Sequence, residues 1–462
     1  MAENVCTKVV ANDLCSGCGI CAGVCPQKTL SIQWNTYGEY SAVDQHNRCA
    51  ENCTMCLQVC PFSSQAENED VIAKPLFSDI PGIQHRSETG YYLDSYVGYS
   101  NIQNHRLNGA SGGLTTWTLE TLLEKDHINY AICVSSSSER EKLFTYTVCS
   151  TSEQIRACAK SCYYPVELSE VIHHILLCEG RYAVVGLPCF IKSLRLAMQK
   201  NRILRERIKY LLGLVCGQQK GKMFSEFVPT LKQVNPKNLI SIQFRAKIPQ
   251  KPASDYGLMY RYKDERGQNN EGLVSWTEGM DQAWCARYFT LNACNYCDDV
   301  FAELADAVFM DAWLPAYSSD WRGTSIILVR NPDIRKLLEN GKAAKELCLD
   351  TISPEQVVFS QAGVVHSKRE ILAKRLTWAS KNKRMVIPKR VKPSRLGIMD
   401  RLFITTENAT MKQSKLLFSI MKEREYFRVT EFFRQMKSNM WVSKMVYMII
   451  CKLKHVKQKI LS

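Results

Sequence analysis

Two four-cysteine runs near the start of this 462-residue chain restrict its folding more than anything else in the sequence. Cys15, Cys18, Cys21 and Cys25 are spaced C-x2-C-x2-C-x3-C, with Pro26 next. Cys49, Cys53, Cys56 and Cys60 repeat the run as C-x3-C-x2-C-x3-C, with Pro61 next. The x2 steps let consecutive thiolates converge on one small polyhedron, and the proline fixes the fourth cysteine so that it turns away. The whole chain carries 21 cysteines. It is far longer than a small disulfide-stapled domain, and its first ten residues carry an acid and a base and no apolar run. The sequence therefore reads as a cytoplasmic protein whose thiols serve metal, redox or catalytic chemistry. Disulfides or zinc are the plain alternatives, but zinc sites usually use two separated pairs, not four cysteines within eleven residues.

On this spacing Cys15, Cys18, Cys21 and Cys60 hold one 4Fe–4S cluster, and Cys49, Cys53, Cys56 and Cys25 hold a second. Ser16, Gly17, Gly19 and Ala22 are small enough to bring backbone amides close to cluster sulfurs. Residues 6–64 resemble the bacterial two-cluster ferredoxin. The extra residue between Cys49 and Cys53 departs from the first run.

Length alone suggests two to four domains, and 45% apolar with 23% charged residues is ordinary for a soluble globular protein. The formal charge of +15 is not evenly spread. Residues 367–462 hold 24 Lys and Arg against 6 Asp and Glu, a net +18, whereas residues 1–366 hold 36 against 39, a net −3. Leu416, Phe418, Met421, Phe427, Phe432, Trp441, Ile449 and Ile450 interleave with the bases. Three readings of this helical tail stand: a stripe packed on the body or a partner, attachment to an anionic membrane surface, and nucleic-acid binding. No zinc-finger or RNA-binding pattern accompanies the bases, so nucleic acid is the weakest. The longest uncharged apolar run, Met445 to Cys451, is too short to span a bilayer.

The polar segment after Ser63, with Pro75 and Pro81, reads as an exposed connection. Beyond it, Tyr130–Val134, Tyr182–Gly186 and Tyr210–Val215 read as buried strands, with helices over Leu114–Lys125 and Val166–Glu179. The expected organisation is α+β to α/β. A small ferredoxin-like domain (1–66) is followed by a linker (67–95), a mixed-sheet α/β domain (96–365), which the family resemblance given below makes a flavin domain, and a basic helical tail (366–462). Ser111, Gly112 and Gly113 precede a helix, a turn that suits a phosphate and equally an ordinary cap. Rossmann, Walker A, zinc-protease and nucleophile-elbow motifs are absent.

Several segments together resemble the beta subunit of coenzyme F420 hydrogenase/dehydrogenase in its form with an N-terminal ferredoxin domain. They are Asn108–Gly113 (NGASGG), Ser161-Cys162-Tyr163, Gly186–Cys189 (GLPC), Gly213–Gly217 (GLVCG) and Phe244–Lys247 (FRAK), followed by Cys294–Cys297 (CNYC), Glu303–Asp306 (ELAD), Asp311–Trp313 (DAW) and Gly323–Ser325 (GTS). The resemblance implies a third 4Fe–4S cluster on Cys189, Cys216, Cys294 and Cys297. It also implies FAD held by Asn108, Ser111, Gly112, Gly113, Thr115 and Ser161. Cys162 stands where the family usually has lysine, so a charge for a reduced flavin or an acidic acceptor is lost there. Met310 replaces a usual glycine before Asp311.

The function this implies is an iron–sulfur flavoprotein oxidoreductase. It relays electrons from the ferredoxin clusters through the third cluster to FAD and an organic acceptor. Coenzyme F420 itself, or a sugar-linked or polyprenyl-linked intermediate of polysaccharide assembly, is the small-molecule acceptor the resemblance permits. An electron-donor or acceptor protein is the expected partner, and peripheral attachment at the membrane fits the tail. The alternatives are an electron-transfer subunit without its own substrate, docked on a partner oxidoreductase, and a member that keeps clusters for structure only. Arg245 and Lys247 read equally as anion-neutralising groups near the flavin and as surface charge, Asp306 and Asp311 as helix caps. Cys6, Cys133, Cys149, Cys158, Cys162, Cys178, Cys285, Cys348 and Cys451 lack ligand spacing and read mostly as core packing.

Overall fold

Short turns, not long elements, carry the N-terminal cysteines. The computed structural model describes residues 3–45, 49–50, 52–139, 141–424 and 426–461, without the side chains of 438–440, 444 and 450–461. Ile20–Gly23 and Met55–Gln58 each form one helical turn that ends two residues before the last cysteine of its run. The hairpin Leu30–Trp34 with Tyr40–Asp44 lies between them. Gly19 begins the first turn at φ +79°, and a Cβ there would meet the amides of Leu168 and Ser169 at 2.9 Å. Glycine lets this turn dock against the helix Ser169–Leu177, where the Cys18 carbonyl accepts the Leu168 N–H at 2.9 Å. Val5, Ile20, Leu57 and Val59 accordingly share one core with Ile172, Leu194 and Phe301 of the body.

The body is built on an eight-stranded sheet in the order Leu347–Thr351, Asp94–Ser100, Ser325–Val329, Ala307–Asp311, Ile208–Leu214, Tyr182–Gly186, Tyr130–Ser136 and Phe144–Cys149. The four from Ala307–Asp311 to Tyr130–Ser136 run parallel, and the flanking pairs are antiparallel. Parallel strands covered on both faces need apolar residues at every position, which explains the unbroken runs YAICV and YAVVG. Ala131 and Cys133 face the layer of Leu119, Leu122 and Leu338; Ile132 and Val184 face Ile172, Ile191 and Leu194. The expected mixed α/β sheet, its three named strands and its two named helices are present. Their observed limits are Tyr130–Ser136, Tyr182–Gly186, Ile208–Leu214, Leu114–Glu124 and Ser169–Leu177.

A three-stranded antiparallel sheet, Leu239–Ala246, Gly257–Lys263 and Asn269–Ser275, had no counterpart in the sequence reading. It closes over a third core containing Phe224, Phe227, Phe244 and Phe289. Phe418, Met421, Phe427, Phe432 and Met436 of the tail complete this core. The tail is thus helical as expected, in two long helices Ile398–Met421 and Val429–Leu461, and the part of its stripe from Phe418 to Phe432 packs on the body, whereas Leu416, Trp441 and Ile449 are exposed. No described helix is long and apolar enough to cross a membrane.

Two boundary expectations change. The segment 67–95 is not an exposed connection: Glu69–Phe77 is a helix whose Ile72, Ala73 and Phe77 are buried. Its Glu69, read as part of a polar stretch, is buried beside Lys192 at 3.2 Å. The start of the basic segment is not an appendage either, because Leu372, Leu376, Trp378 and Ala379 belong to the main core. Lys389 pairs with Asp298 at 3.2 Å, Arg369 with Glu303 at 3.1 Å, and Arg390 with Glu303 and Asp70. Part of the basic excess therefore neutralises acids of the body. Of the apolar stripe, the Ile450 side chain, like that of Cys451, lies outside the described residues.

Candidate functional site

The fold gathers the cysteines of the two runs into two sets. Burial pushes the Cys21 thiol well up, and the adjacent thiols of Cys18, Cys15, Cys60 and Cys56 push it further. Burial raises Cys56 likewise, with Cys49, Cys53 and Cys25 as its neighbours. Cys60 thus lies near thiols of the first run and Cys25 near those of the second. Backbone N–H groups point at the sulfurs: Val5 donates to Cys56 at 3.3 Å and Gly17 to Cys15 at 3.4 Å. Cys25 stays below its ordinary value despite burial, because the Thr29 amide and hydroxyl and the Leu30 and Gln27 amides all donate to it. Such donors favour thiolate and tune a bound cluster.

Cys189, Cys216, Cys294 and Cys297, far apart in sequence, also come together. Cys189 opens the helix Pro188–Lys200, Cys216 follows the strand Ile208–Leu214, and Cys294 lies in the turn Asn292–Tyr296 just ahead of Cys297. Burial raises the Cys189 thiol, and Cys297, Cys216, Cys18 and Cys294 add their repulsion. Cys18 is in that company, so the third set adjoins the first.

Two residues at this third set escaped the sequence reading. Gln219 donates its backbone N–H to Cys294 Sγ at 3.1 Å and its side-chain amide to Cys189 Sγ at 3.2 Å. Lys368 Nζ donates to Cys297 Sγ at 3.2 Å and to the Asp299 carbonyl at 2.7 Å. Nothing in the sequence near Lys368 distinguished it from the other bases of its segment. Among the described residues no three His, Cys, Asp or Glu side chains converge on a single-ion site.

The residues expected at a flavin divide into three groups. Ser111, Gly112 and Gly113 are engaged by the protein itself. The Ser111 hydroxyl donates to the Thr324 carbonyl at 2.6 Å, and the Gly112 amide donates to Ser325 Oγ at 2.8 Å. A Cβ on Gly112 would stand 2.4 Å from the Gly98 carbonyl oxygen, so glycine is needed for close approach to the sheet. Asn108 lines a cleft of about 520 Å³ with Asn101, Asn104, His105, Thr116 and Arg156. Thr115 lies half-buried in the first turn of the helix Leu114–Glu124, next to Thr116. Ser161 lines a second cleft of about 330 Å³ with Lys160, Cys162, Phe244, Tyr260 and Arg261. The two clefts share Ala159 as a wall.

Beneath the first cleft, His105 Nε2 stands 2.7 Å from Glu120 and Arg156 Nε stands 2.6 Å from the same carboxylate. This buried polar floor had no signal in the sequence. In the second cleft Cys162 is pushed up to about 12 by burial and by Cys158. A lysine nevertheless lines that cleft, because Lys160 stands two positions earlier at φ +95°. Burial lowers its pKa. Tyr146, whose hydroxyl donates to the Val185 carbonyl at 3.1 Å, links the two regions. Burial raises its pKa, with Cys189, Cys133, Cys18 and Cys162 contributing in turn. The third thiol set and the wall of the second cleft thus both lie within electrostatic reach of one side chain.

Arg245 and Lys247 are neither surface charges nor open anion sites. Arg245 is buried, pairs with Asp311 and donates to the Ala110 carbonyl at 3.2 Å. Lys247 donates to the Ser111 carbonyl at 2.8 Å and to those of Arg106 and Arg322. Both brace the glycine loop from behind. Asp306 and Asp311 are not helix caps. Asp306 accepts from the Leu211 amide at 2.7 Å and from Arg195 at 3.0 Å, anchoring the head of a central strand.

Thiol sets docked on a mixed sheet are in keeping with an iron–sulfur electron-transfer family. The chain belongs to the coenzyme F420 hydrogenase/dehydrogenase beta-subunit family. Residues 95–173 match its N-terminal part and residues 179–355 its C-terminal part, together more than half of the chain. Residues 14–64 match the 4Fe–4S dicluster domain. The coenzyme F420-dependent sulfite reductase of Methanocaldococcus jannaschii is 24% identical over 319 residues, which cover 65% of this chain. The match spans only 42% of that relative. A chain of the F420-reducing [NiFe] hydrogenase complex from Methanosarcina barkeri superposes with a TM-score of 0.48 at 15% identity, covering 64% of this chain and 96% of that one.

Proposed function

We propose that this protein is an iron–sulfur flavoprotein that relays electrons between a protein partner and an organic acceptor. The path runs through the ferredoxin sets, the third thiol set and a flavin at the adjoining clefts. The observation that carries this reading is the convergence of thiols distant in sequence, Cys189 and Cys294 on the shared donor Gln219 and Cys297 on Lys368. The thiol sets suit clusters, each with buried sulfurs and most with N–H donors close by. The clefts suit FAD, since Arg156, Asn101 and Asn108 offer donors to a pyrophosphate and sugar while Phe244 and Tyr260 offer ring surface. When bound, clusters pass single electrons and flavin exchanges one or two, so the combination couples one-electron donors to hydride acceptors.

The protein's own part is placement. Gln219 and Lys368 hold the third thiol set and supply donors to its sulfurs. The glycine loop, braced by Lys247 and Arg245, fixes the start of the helix Leu114–Glu124 and so the floor of the first cleft. Lys160 supplies the cation that Cys162 cannot, which suits an acidic acceptor such as a deazaflavin phosphodiester; a sugar-phosphate intermediate has the same demand.

Flavin released from anaerobically purified protein is expected at about one FAD per chain. Arg156→Ala should retain less than about a tenth of that, because the arginine that Glu120 holds at the cleft is removed. Flavin-free protein with intact clusters would overturn the reading. It would favour instead the electron-transfer subunit docked on a partner oxidoreductase, which membership in a beta-subunit family also supports and which co-purification of a stoichiometric partner would identify.

The far half of Val429–Leu461 supports attachment to an anionic membrane surface. Trp441, Met445, Met448 and Ile449 are exposed at helical spacing on a strongly basic helix. Because Phe418 and Phe432 are core residues, deleting the whole tail would unfold the body. Trp441→Ser with Met448→Ser is the cleaner change. It should weaken sedimentation with phosphatidylglycerol vesicles by about tenfold or more, and unchanged binding would refute the attachment.

A further inference from the structure

Three thiols outside the candidate cluster sets meet at the edge of the eight-stranded sheet. Cys133 lies on the strand Tyr130–Ser136, Cys149 ends the edge strand Phe144–Cys149, and Cys158 caps the helix Ser152–Ala157. Cys149 Sγ and Cys158 Sγ are 3.7 Å apart, and Cys133 lies close enough to both to perturb their titration. Cys133 and Cys149 are buried, whereas Cys158 is partly exposed. The sequence reading of these three as inert core packing is therefore too simple.

The geometry suits bond formation between one particular pair. The Sγ atoms of Cys149 and Cys158 are already in van der Waals contact and need to close to about 2.05 Å. Cys149 is held by a strand, but Cys158 lies at a helix end followed by Lys160 at φ +95°, so its side of the pair can move. The two neighbouring S–H groups donate to Cys149 and lower its pKa, which favours the thiolate as nucleophile.

We propose that Cys149 and Cys158 form a redox-active dithiol that a small-molecule disulfide converts into an intramolecular bridge. Cys158 is the accessible member of the pair; its thiol gives its proton to solvent as its sulfur attacks the small disulfide, forming a mixed disulfide and releasing one thiolate. Cys149 then attacks Cys158 Sγ, forming the bridge and releasing the second. Two protein thiols are oxidised, one small disulfide is reduced to two thiols, and the two protons from the cysteines end on those thiols. Cys133, buried beside both sulfurs, is a bystander of this step.

The bridge would act on the clefts directly. Ala159 walls both of them, and Lys160, Ser161 and Cys162 line the second. Fixing Cys158 to the sheet edge fixes the residue between Ala157 and Ala159, both of which line the second cleft. The chemistry is independent of what the clefts bind.

The test uses anaerobically purified, cluster-loaded protein treated with oxidised glutathione, then alkylated and digested with trypsin. Cleavage after Arg156 separates Cys149 in peptide 143–156 from Cys158 in peptide 157–160. The expected product is these two peptides joined by a disulfide that dithiothreitol releases. Cys158→Ser should abolish it, and Cys133→Ser should keep it. Recovery of the two peptides unlinked, under conditions that glutathionylate the exposed Cys178 and Cys348, would overturn the proposal. So would a Cys133–Cys149 link in their place.

Discussion

Cys189→Ser is expected to remove one cluster and leave the other two, lowering iron from about twelve to about eight per chain. The substitution is nearly isosteric and sits in the first turn of Pro188–Lys200, where it disturbs no backbone hydrogen bond of the strand layer. It takes away the thiolate that adjoins both Cys18 and the rest of the third set. Reduced protein should keep the electron paramagnetic resonance signals of the ferredoxin clusters and lose the third. Acceptor reduction should fall below detection while electron uptake from a chemical reductant continues. Retention of all twelve irons in the variant would show that Cys189 is not a ligand.

Arg330→Met is expected to cost about 3–5 kcal/mol, the scale for breaking a buried charged network by removing one partner. That is a large share of the roughly 5–15 kcal/mol that holds a domain folded. Arg330 is fully buried and donates to five backbone carbonyls: Tyr91 at 2.8 Å, Thr89 at 3.0 Å, Ala305 at 3.1 Å, and Ala302 and Phe301 at 3.2 Å. It ties the hairpin of Gln84–Arg86 with Gly90–Tyr92 to the segment that follows Cys297. Methionine fills the space and leaves those carbonyls without a donor. Arg330→Lys should rescue little, because an ammonium has three donors in place of five and no fork. Urea unfolding of the soluble fraction reads the effect, and an unchanged midpoint would contradict it.

What the sequence disclosed follows from how local each signal is. The ferredoxin thiols are legible because their spacing itself fixes convergence, and the exchange of fourth cysteines between sets follows from the prolines. The buried strands are legible because a parallel sheet covered on both faces writes continuous apolar runs such as YAVVG. Cys189, Cys216, Cys294 and Cys297 have no common local pattern, and only family resemblance singled them out. Lys368 and Gln219 were invisible because their partners lie far away in sequence.

The same reason explains the misreadings. Glu69 sits in a polar stretch that looks exposed, yet Lys192 and Arg390, supplied from distant segments, make its burial tolerable. Asp306 and Asp311 have the residue type of a cap but are claimed by Arg195, Leu211 and Arg245. Composition identified the basic segment correctly but could not show that Lys389 and Arg390 face acids of the body.

Iron and acid-labile sulfide, counted together on anaerobically purified protein, test the central claim most directly. The account requires about twelve of each per chain, four for each of three thiol sets. About eight would confine clusters to the ferredoxin module and break the relay at Cys189, and about four would contradict the two-cluster module itself.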